Sequence, residues 1–271
     1  MNDPNDYPPW GTPVSVDDPE ALGRLSQRLA EWEPRLLLHR PPTDSLIYVP
    51  DGTLYAINLA AGADYQSPRG VRHVALGDAL VIPREVSVDA GPEVDLIGVI
   101  HDGPPPDHFR ERFIQVFGYE HFPAADLDPT EPAFVEVIPG SDPRHRLSYA
   151  TAAVSPGMAL TFEGRHPVLL VALTGEFSVS LDDPRGGRVN PLPTRSIQVL
   201  WPGTQARITG SGRIGSVALP DEETHWAARR EGKAGGLTHE AGLGDAADTV
   251  TSQSRYLPDA GLSLVDSTPS A

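Results

Sequence analysis

The chain has 271 residues, of which 39% are hydrophobic and 21% charged, a formal charge of -16 and no cysteine. That is enough apolar material for one large domain or two smaller ones, and it excludes a wholly disordered chain. The acidic balance argues against sequence-independent binding to nucleic acid or to an anionic membrane, and the lack of cysteine excludes disulfides, thiolate nucleophiles and Cys-ligated metal.

The N-terminal stretch MNDPNDYPPW is acidic and Pro-rich, without the basic region and apolar run of a signal peptide. No apolar run approaches the ~20 residues that cross a bilayer. With the missing cysteines this predicts a cytoplasmic protein without membrane or nucleic-acid partners. A helix is predicted from Asp18-Pro19-Glu20, with Asp at the N-cap, Pro at the first helical position and acid in the first turn. Leu22, Leu25, Leu29 and Trp32 then recur at helical spacing. Residues 1–34 are read as an arm and helix.

Short apolar runs punctuated by 29 prolines and 26 glycines follow, the pattern of a β-rich protein. Ser45–Ile57 reads as strand, turn at Asp51-Gly52, strand; Val71–Ala75 and Ala79–Ile82 flank a turn at Gly77-Asp78; Val86–Asp89 and Val94–His101 complete a first set. A second helix is predicted after Pro104-Pro105-Pro106, with Asp107 as cap, a stripe of Phe109, Phe113 and Phe117, and Gly118 as stop. It is read as the linker helix between barrels, sealing the first of them or lying as a lid over a pocket. A second set of strands runs from Leu147 to Leu219. SLIYVPDGTLYAI lies over VLLVALTGEFSVS, matching Gly52 to Gly175. GDALVIPREVSVDAGPEVDLIGVI lies over RSIQVLWPGTQARITGSGRIGSVAL, matching Pro83 to Pro202. A shared period of about 120 residues is an internal duplication of tandem domains. The expected layout is a first barrel over 35–103, a helical linker over 104–143, a second barrel over 144–220 and a flexible acidic tail over 221–271.

Four segments carry a family resemblance: Tyr48-Val49-Pro50-Asp51-Gly52, Gly77-Asp78-Ala79-Leu80-Val81-Ile82-Pro83, Leu170–Glu176, and Val199-Leu200-Trp201-Pro202-Gly203. Short strands, a Gly turn, then G-D-x-x-x-x-P resemble the cupin superfamily, and two copies look like a bicupin. The resemblance covers roughly half the chain. It implies an all-β fold of two tandem jelly-roll barrels, which host many chemistries and also proteins with none. Pro167–Glu176 with Ile208-Thr209-Gly210-Ser211-Gly212 is similar to the C-terminal cupin of type I mannose-6-phosphate isomerases.

The resemblance implies a metal held by two His and a Glu of a first motif and a His of a second. Carried over from Gly52, the Glu place falls on Ser45 and the His pair on Leu38 and Arg40, or on His39 and Pro41; the second-motif place falls on Val88. In the second copy the places are Val168 for Glu, Thr161 and Glu163 or Phe162 and Gly164 for His, and Arg207. At most one ligand survives, so no cofactor is predicted. The fallback is a relocated site of His39, His73 and His101, which would make the protein a metal oxygenase.

Three functional readings follow. The first is an isomerase-, cyclase- or lyase-like enzyme acting on a sugar-like or anionic metabolite. In it His39 or His166 moves protons, and Arg207, Arg165 and Glu163 hold the ligand, with Trp201, Asp44 and Tyr48 as further pocket candidates. The second is a non-catalytic bicupin that binds a small molecule or a protein. The third is the oxygenase. Each of these side chains also has a plain role: His39 at a strand rim, Asp44 opening a turn, Arg207 and Glu163 bridging inside a dead barrel, His166 in a loop, Trp201 in the core or at a homodimer interface. An open polar cavity around Arg207 and Glu163 would favour binding or catalysis, and barrels plugged by Leu, Val and Phe would favour a structural role.

Overall fold

The computed structural model describes residues 12–32, 35–41, 46–48, 52–67, 70–83, 87–90, 94–101, 120–124, 126–127, 133–139, 145, 147–163, 167–182, 187–201, 204–219, 238–243, 249–257 and 262–267. The expected linker helix lies outside these residues. Helix α1 (Pro19–Trp32) begins where its cap predicts. The Asp18 carboxylate accepts the Ala21 N–H at 2.9 Å, and its carbonyl accepts the Leu22 N–H at 2.9 Å. Leu22, Leu25 and Leu29 are buried, each stabilising by about 1.5–3 kcal/mol relative to exposure. The Ser26 hydroxyl accepts the Leu38 N–H at 3.0 Å, tying the helix to the first barrel.

The chain divides into two compact units. One comprises Val16–Ala124 and Asp142–Arg146, the other Met1–Ser15, Ala125–Ser141 and Leu147–Ala271. In the first, eight strands run in chain order: β2 (Leu36–His39), β3 (Leu46–Tyr48), β4 (Thr53–Asn58), β5 (Gly62–Ser67), β6 (Gly70–Ala75), β7 (Ala79–Pro83), β8 (Ser87–Ala90) and β9 (Leu96–His101). They alternate between two antiparallel sheets of order β2-β9-β4-β7 and β3-β8-β5-β6. That order is a jelly roll. Ser45–Ile57 is therefore not a hairpin, and neither is Val71–Ile82. In each case the Gly turn carries the chain from one sheet to the other, which local patterning cannot distinguish from a hairpin turn.

The second unit repeats the order with β12 (Ser148–Val154), β13 (Met158–Glu163), β14 (Val168–Asp182), β15 (Arg188–Pro193), β16 (Ser196–Leu200) and β17 (Gln205–Ala218). Here β14 and β17 are long enough to serve both sheets. β12 and β16 flank one end of them, β13 and β15 the other. Where β14 and β17 change sheets they carry Gly175, Gly210 and Gly212, all at positive φ. A Cβ on Gly210 would run into the Glu176 carbonyl and lie 2.8 Å from the Phe177 Cα.

Three further strands close edges: β1 (Val14–Ser15) on β16, β10 (Glu120–Phe122) on β7, and β11 (Val135–Ile138) on β12. The segment expected to be a loosely attached tail instead supplies β18 (Thr238–Leu243), β19 (Thr249–Leu257) and β20 (Leu262–Ser267), added in turn to the edge of β13. Backbone pairing carries this extension, so a small, polar sequence gives no apolar alternation to announce it. Among the described residues no helix is long and apolar enough to cross a membrane.

Candidate functional site: the two barrel interiors

Strand alternation and burial define what faces inward. In the first barrel Ile47, Leu54, Ala56, Val74, Leu80, Ile82, Val94 and Leu96 form one apolar cluster. Asn58, also inward and fully buried, is spent on the backbone: its amide donates to the Val74 and Ala75 carbonyls at 3.2 and 3.0 Å, and its oxygen accepts the Ala60 N–H at 3.1 Å. In the second barrel Leu160, Phe162, Val168, Leu170, Phe177, Val179, Ala206 and Ile208 belong to one cluster, with Phe162 edge-on to Phe134 at 6.4 Å between ring centroids.

Backbone registers fix which residues of the two repeats correspond. Tyr55 pairs with Val81 and Val99, as Leu169 pairs with Val199 and Val217. The Gly77 N–H donates to the Asn58 carbonyl at 2.9 Å, as the Arg195 N–H donates to the Ala172 carbonyl at 2.8 Å. Gly77 and Arg195 are both left-handed, at φ 86° and 62°. The duplication is real, but Gly175 corresponds to Ala61 rather than to Gly52, as Glu176 paired with Pro193 matches Gly62 paired with Ala75, and Pro83 corresponds to Trp201 rather than to Pro202. The stretch between Glu176 and Pro193 in the second repeat is longer than that between Gly62 and Ala75 in the first, a length difference that gap-free matching cannot place.

This register moves the places that the cupin resemblance assigned to ligands. The second-motif place shifts from Arg207 to Ala206, since Ala206 and Ile208 face inward and Arg207 is exposed. Of the two His spacings, the one through Phe162 faces inward. The Glu place stays on Val168, and in the first repeat it moves from Ser45 to Leu54. Phe162, Val168, Ala206 and Leu54 are apolar and at most 1% exposed. Such a donor set does not fit a metal ion, which needs imidazole or carboxylate there. Among the described residues no cluster of three His, Asp or Glu side chains could hold one.

Arg207 therefore does not point into the barrel; it stands on the outer face, its Cα paired with Thr161 and Ser180. Glu163 ends β13, with a side chain outside the described set, as is that of Tyr48 in β3. Asp44, Arg165 and His166 also lie outside the described residues. Trp201 is buried at 6% exposure, which leaves little ring to stack on a ligand. His39, His73 and His101 do not converge. His39 alternates with the buried Leu36 and Leu38 on β2, so it lies on the face opposite to His101, whose partner is Leu36. His73 is exposed on the other sheet. His39 is half-buried, and that burial lowers its pKa below the ordinary histidine value.

Residues that sequence reasoning passed over are more informative. On β16 the fully buried Gln198 faces into the second barrel at the place of Leu80 in the first. Its Oε1 accepts from Asn190 Nδ2 on β15 at 3.2 Å, and its Nε2 donates to the Val199 carbonyl at 3.0 Å. Across Leu170 on the same face stands Ser216, with no exposure and no hydrogen-bond partner for its hydroxyl among the described residues. The only signal was Gln198 within an otherwise apolar run, SIQVL.

The second such residue is Asp78, the acid of G-D-x-x-x-x-P, only 4% exposed. It accepts from the Ala75 N–H at 2.9 Å, the Ala124 N–H at 2.7 Å and His121 Nε2 at 2.8 Å. Burial by itself would raise its pKa. The bonds from His121, Ala124 and Ala75, with the charge of His121, outweigh burial and hold the carboxyl below its ordinary value.

No protein-family model matches the chain, and no curated protein does. Among solved structures, one of oxalate decarboxylase, studied for its substrate binding mode and reaction specificity, overlays with a TM-score of 0.48 at 13% identity, covering 78% of this chain and 72% of that one. A point mutant of the Bacillus subtilis enzyme gives 0.48 at 12% identity with the same coverage. The Bacillus subtilis enzyme at pH 4.6 gives 0.47 at 12% identity, covering 77% and 71%. The jelly-roll assignment rests on the strand order and register above, not on these overlays.

Proposed function

We propose that this chain is a non-catalytic, ligand-binding bicupin whose second barrel holds a small, uncharged, polyhydroxylated molecule. The observation that carries this reading is the difference between the interiors. Where the first barrel places Leu80, the second places Gln198, bonded to Asn190, and on the same face beyond Leu170 stands Ser216, whose buried hydroxyl has no hydrogen-bond partner among the described residues. Burying amides and a hydroxyl in an apolar barrel is unfavourable by about 1–3 kcal/mol per unmade hydrogen bond, so a barrel kept only for structure would fill the place with Leu. Amide and hydroxyl both donate and accept, which suits sugar-like hydroxyls. The similarity of Pro167–Glu176 to a sugar-phosphate isomerase cupin agrees with a sugar-like ligand, and the apolar Phe162, Val168 and Ala206 speak against a metal there. The protein would act in the cytoplasm, as monomer or homodimer.

The test combines elemental analysis of untagged protein purified without chelator with a thermal-shift screen of neutral sugars and polyols. The expected result is no metal near one equivalent, and a shift that Gln198→Leu abolishes without lowering the Tm of the unliganded protein. A dialysis-resistant equivalent of Fe, Mn, Ni, Zn or Cu would restore the metal-enzyme reading. A screen with no shift, or one unaltered by Gln198→Leu, would remove the second barrel as the binding site.

A further inference from the structure

Glu136 on β11 stands on the interior face of the second barrel. Phe134, two residues before it on the same strand, belongs to the interior cluster, and so does its cross-strand partner Ala150. Ala150 pairs in turn with Ser216, Ser216 with Leu170, and Leu170 with Gln198. One row of the ladder therefore carries Glu136, Ser216 and Gln198, with Ala150 and Leu170 between them. Neighbouring strands lie about 4.8 Å apart, so the backbone of Ser216 is about 10 Å along the row from that of either. Glu136 is half-buried at the outer end of the row, and Ser216 and Gln198 are buried.

The first barrel does not repeat this row. The place of Ser216 is held by Gly98, paired with Ala56 and His39 as Ser216 is with Leu170 and Ala150. A Cβ on Gly98 would run into the Tyr55 carbonyl and lie 2.8 Å from Leu54 Cδ1, so a serine does not fit there. The place of Gln198 is held by Leu80. Among the described residues β2 ends its sheet, so β11 and its carboxylate have no counterpart. Carboxylate, hydroxyl and amide thus occur together in one repeat and in one row. Drawing such groups towards an apolar interior is unfavourable unless donors and acceptors meet them, so packing alone does not explain the set.

We infer that Glu136 is the specificity-determining residue of the second barrel: its carboxylate takes hydroxyl or ammonium donors from a sugar-like molecule and turns anionic ones away. This rests on the ligand-binding reading above and adds the charge that the site accepts. An ionised carboxylate only accepts hydrogen bonds, and its two oxygens suit hydroxyls on neighbouring carbons. A phosphate or carboxylate on the ligand meets it as a like charge in surroundings that screen less than water does. Arg207, which would have favoured an anionic ligand, stands on the outer face. The charge offered to a ligand inside the barrel is therefore opposite in sign to the one that an inward Arg207 implies.

Glucose, glucosamine and glucuronate present one ring in neutral, cationic and anionic form, and mannitol adds an open-chain polyol. Each is titrated against the full chain by calorimetry and thermal shift. Glucose or mannitol should bind, glucosamine at least as tightly as glucose, and glucuronate about ten-fold more weakly. In Glu136→Gln the neutral probes should weaken about ten-fold, the worth of one charge-assisted hydrogen bond, and the preference for glucosamine over glucuronate should disappear. Circular dichroism verifies that this variant has folded. Ser216→Ala removes a buried hydroxyl without a partner among the described residues, so it should raise the Tm of the unliganded protein while weakening the same probes. A lower unliganded Tm would assign that hydroxyl to the fold and overturn the row as a ligand site. Binding that Gln198→Leu abolishes but Glu136→Gln leaves unchanged, in strength and in charge preference, overturns the role of Glu136 and leaves the binding barrel standing. Glucuronate held as tightly as glucose by the unmodified chain overturns it too. No binding of any probe removes the binding reading and this inference with it.

Discussion

Asp78 shows how a single motif residue works in this fold. G-D-x-x-x-x-P is visible in the sequence, and its acid fastens the β6–β7 turn and the incoming β10. Because its pKa is lowered on folding, the stability it contributes is present above the ordinary carboxylate value of 3.8 and is lost as pH falls through the lower folded value. Asp78→Asn is expected to destabilise by about 1–3 kcal/mol at pH 7. The difference from the wild type should shrink towards pH 3, as urea midpoints at the two pH values would show. An equal gap at both would mean that the charge of the carboxylate is immaterial. Nothing in the sequence ties its partner, His121, to a residue 43 positions earlier.

At the scale of elements, α1 is the most legible part of the molecule. Cap, first-turn proline and Leu spacing all act within the helix, so the sequence suffices. Asp18→Ala should cost about 1 kcal/mol, read from the denaturant midpoint. The long strands were legible as strands but not as paired elements. Ala206 and Arg207 differ by one residue, and that one residue decides which faces the interior. An alignment anchored on Pro202 put Arg207 inside, while the ladder from β14 to β17 puts Ala206 there. The glycines at the crossing let β14 and β17 approach where both change sheets. Gly210→Ala meets backbone on the facing strand at a left-handed φ of 138°, and should destabilise by about 2 kcal/mol or more, seen as a drop in Tm without change in the far-UV spectrum of the folded protein.

At the scale of the whole molecule, composition excluded disulfide and thiolate chemistry, and the two sets of strands announced a duplication. All-β architecture and the first helix were readable because they depend on residue type and local spacing. The tertiary structure decided the rest. It divided apparent hairpins between two sheets, set Arg207 on the outer face and kept His39 and His101 on opposite faces. It also brought Gln198, Asn190 and Ser216 into one interior, and paired β1 with β16 and β10 with β7. All of these depend on pairings between distant segments, and a period-two pattern records that a strand has two faces without recording which strand lies beside it or which face is turned inward.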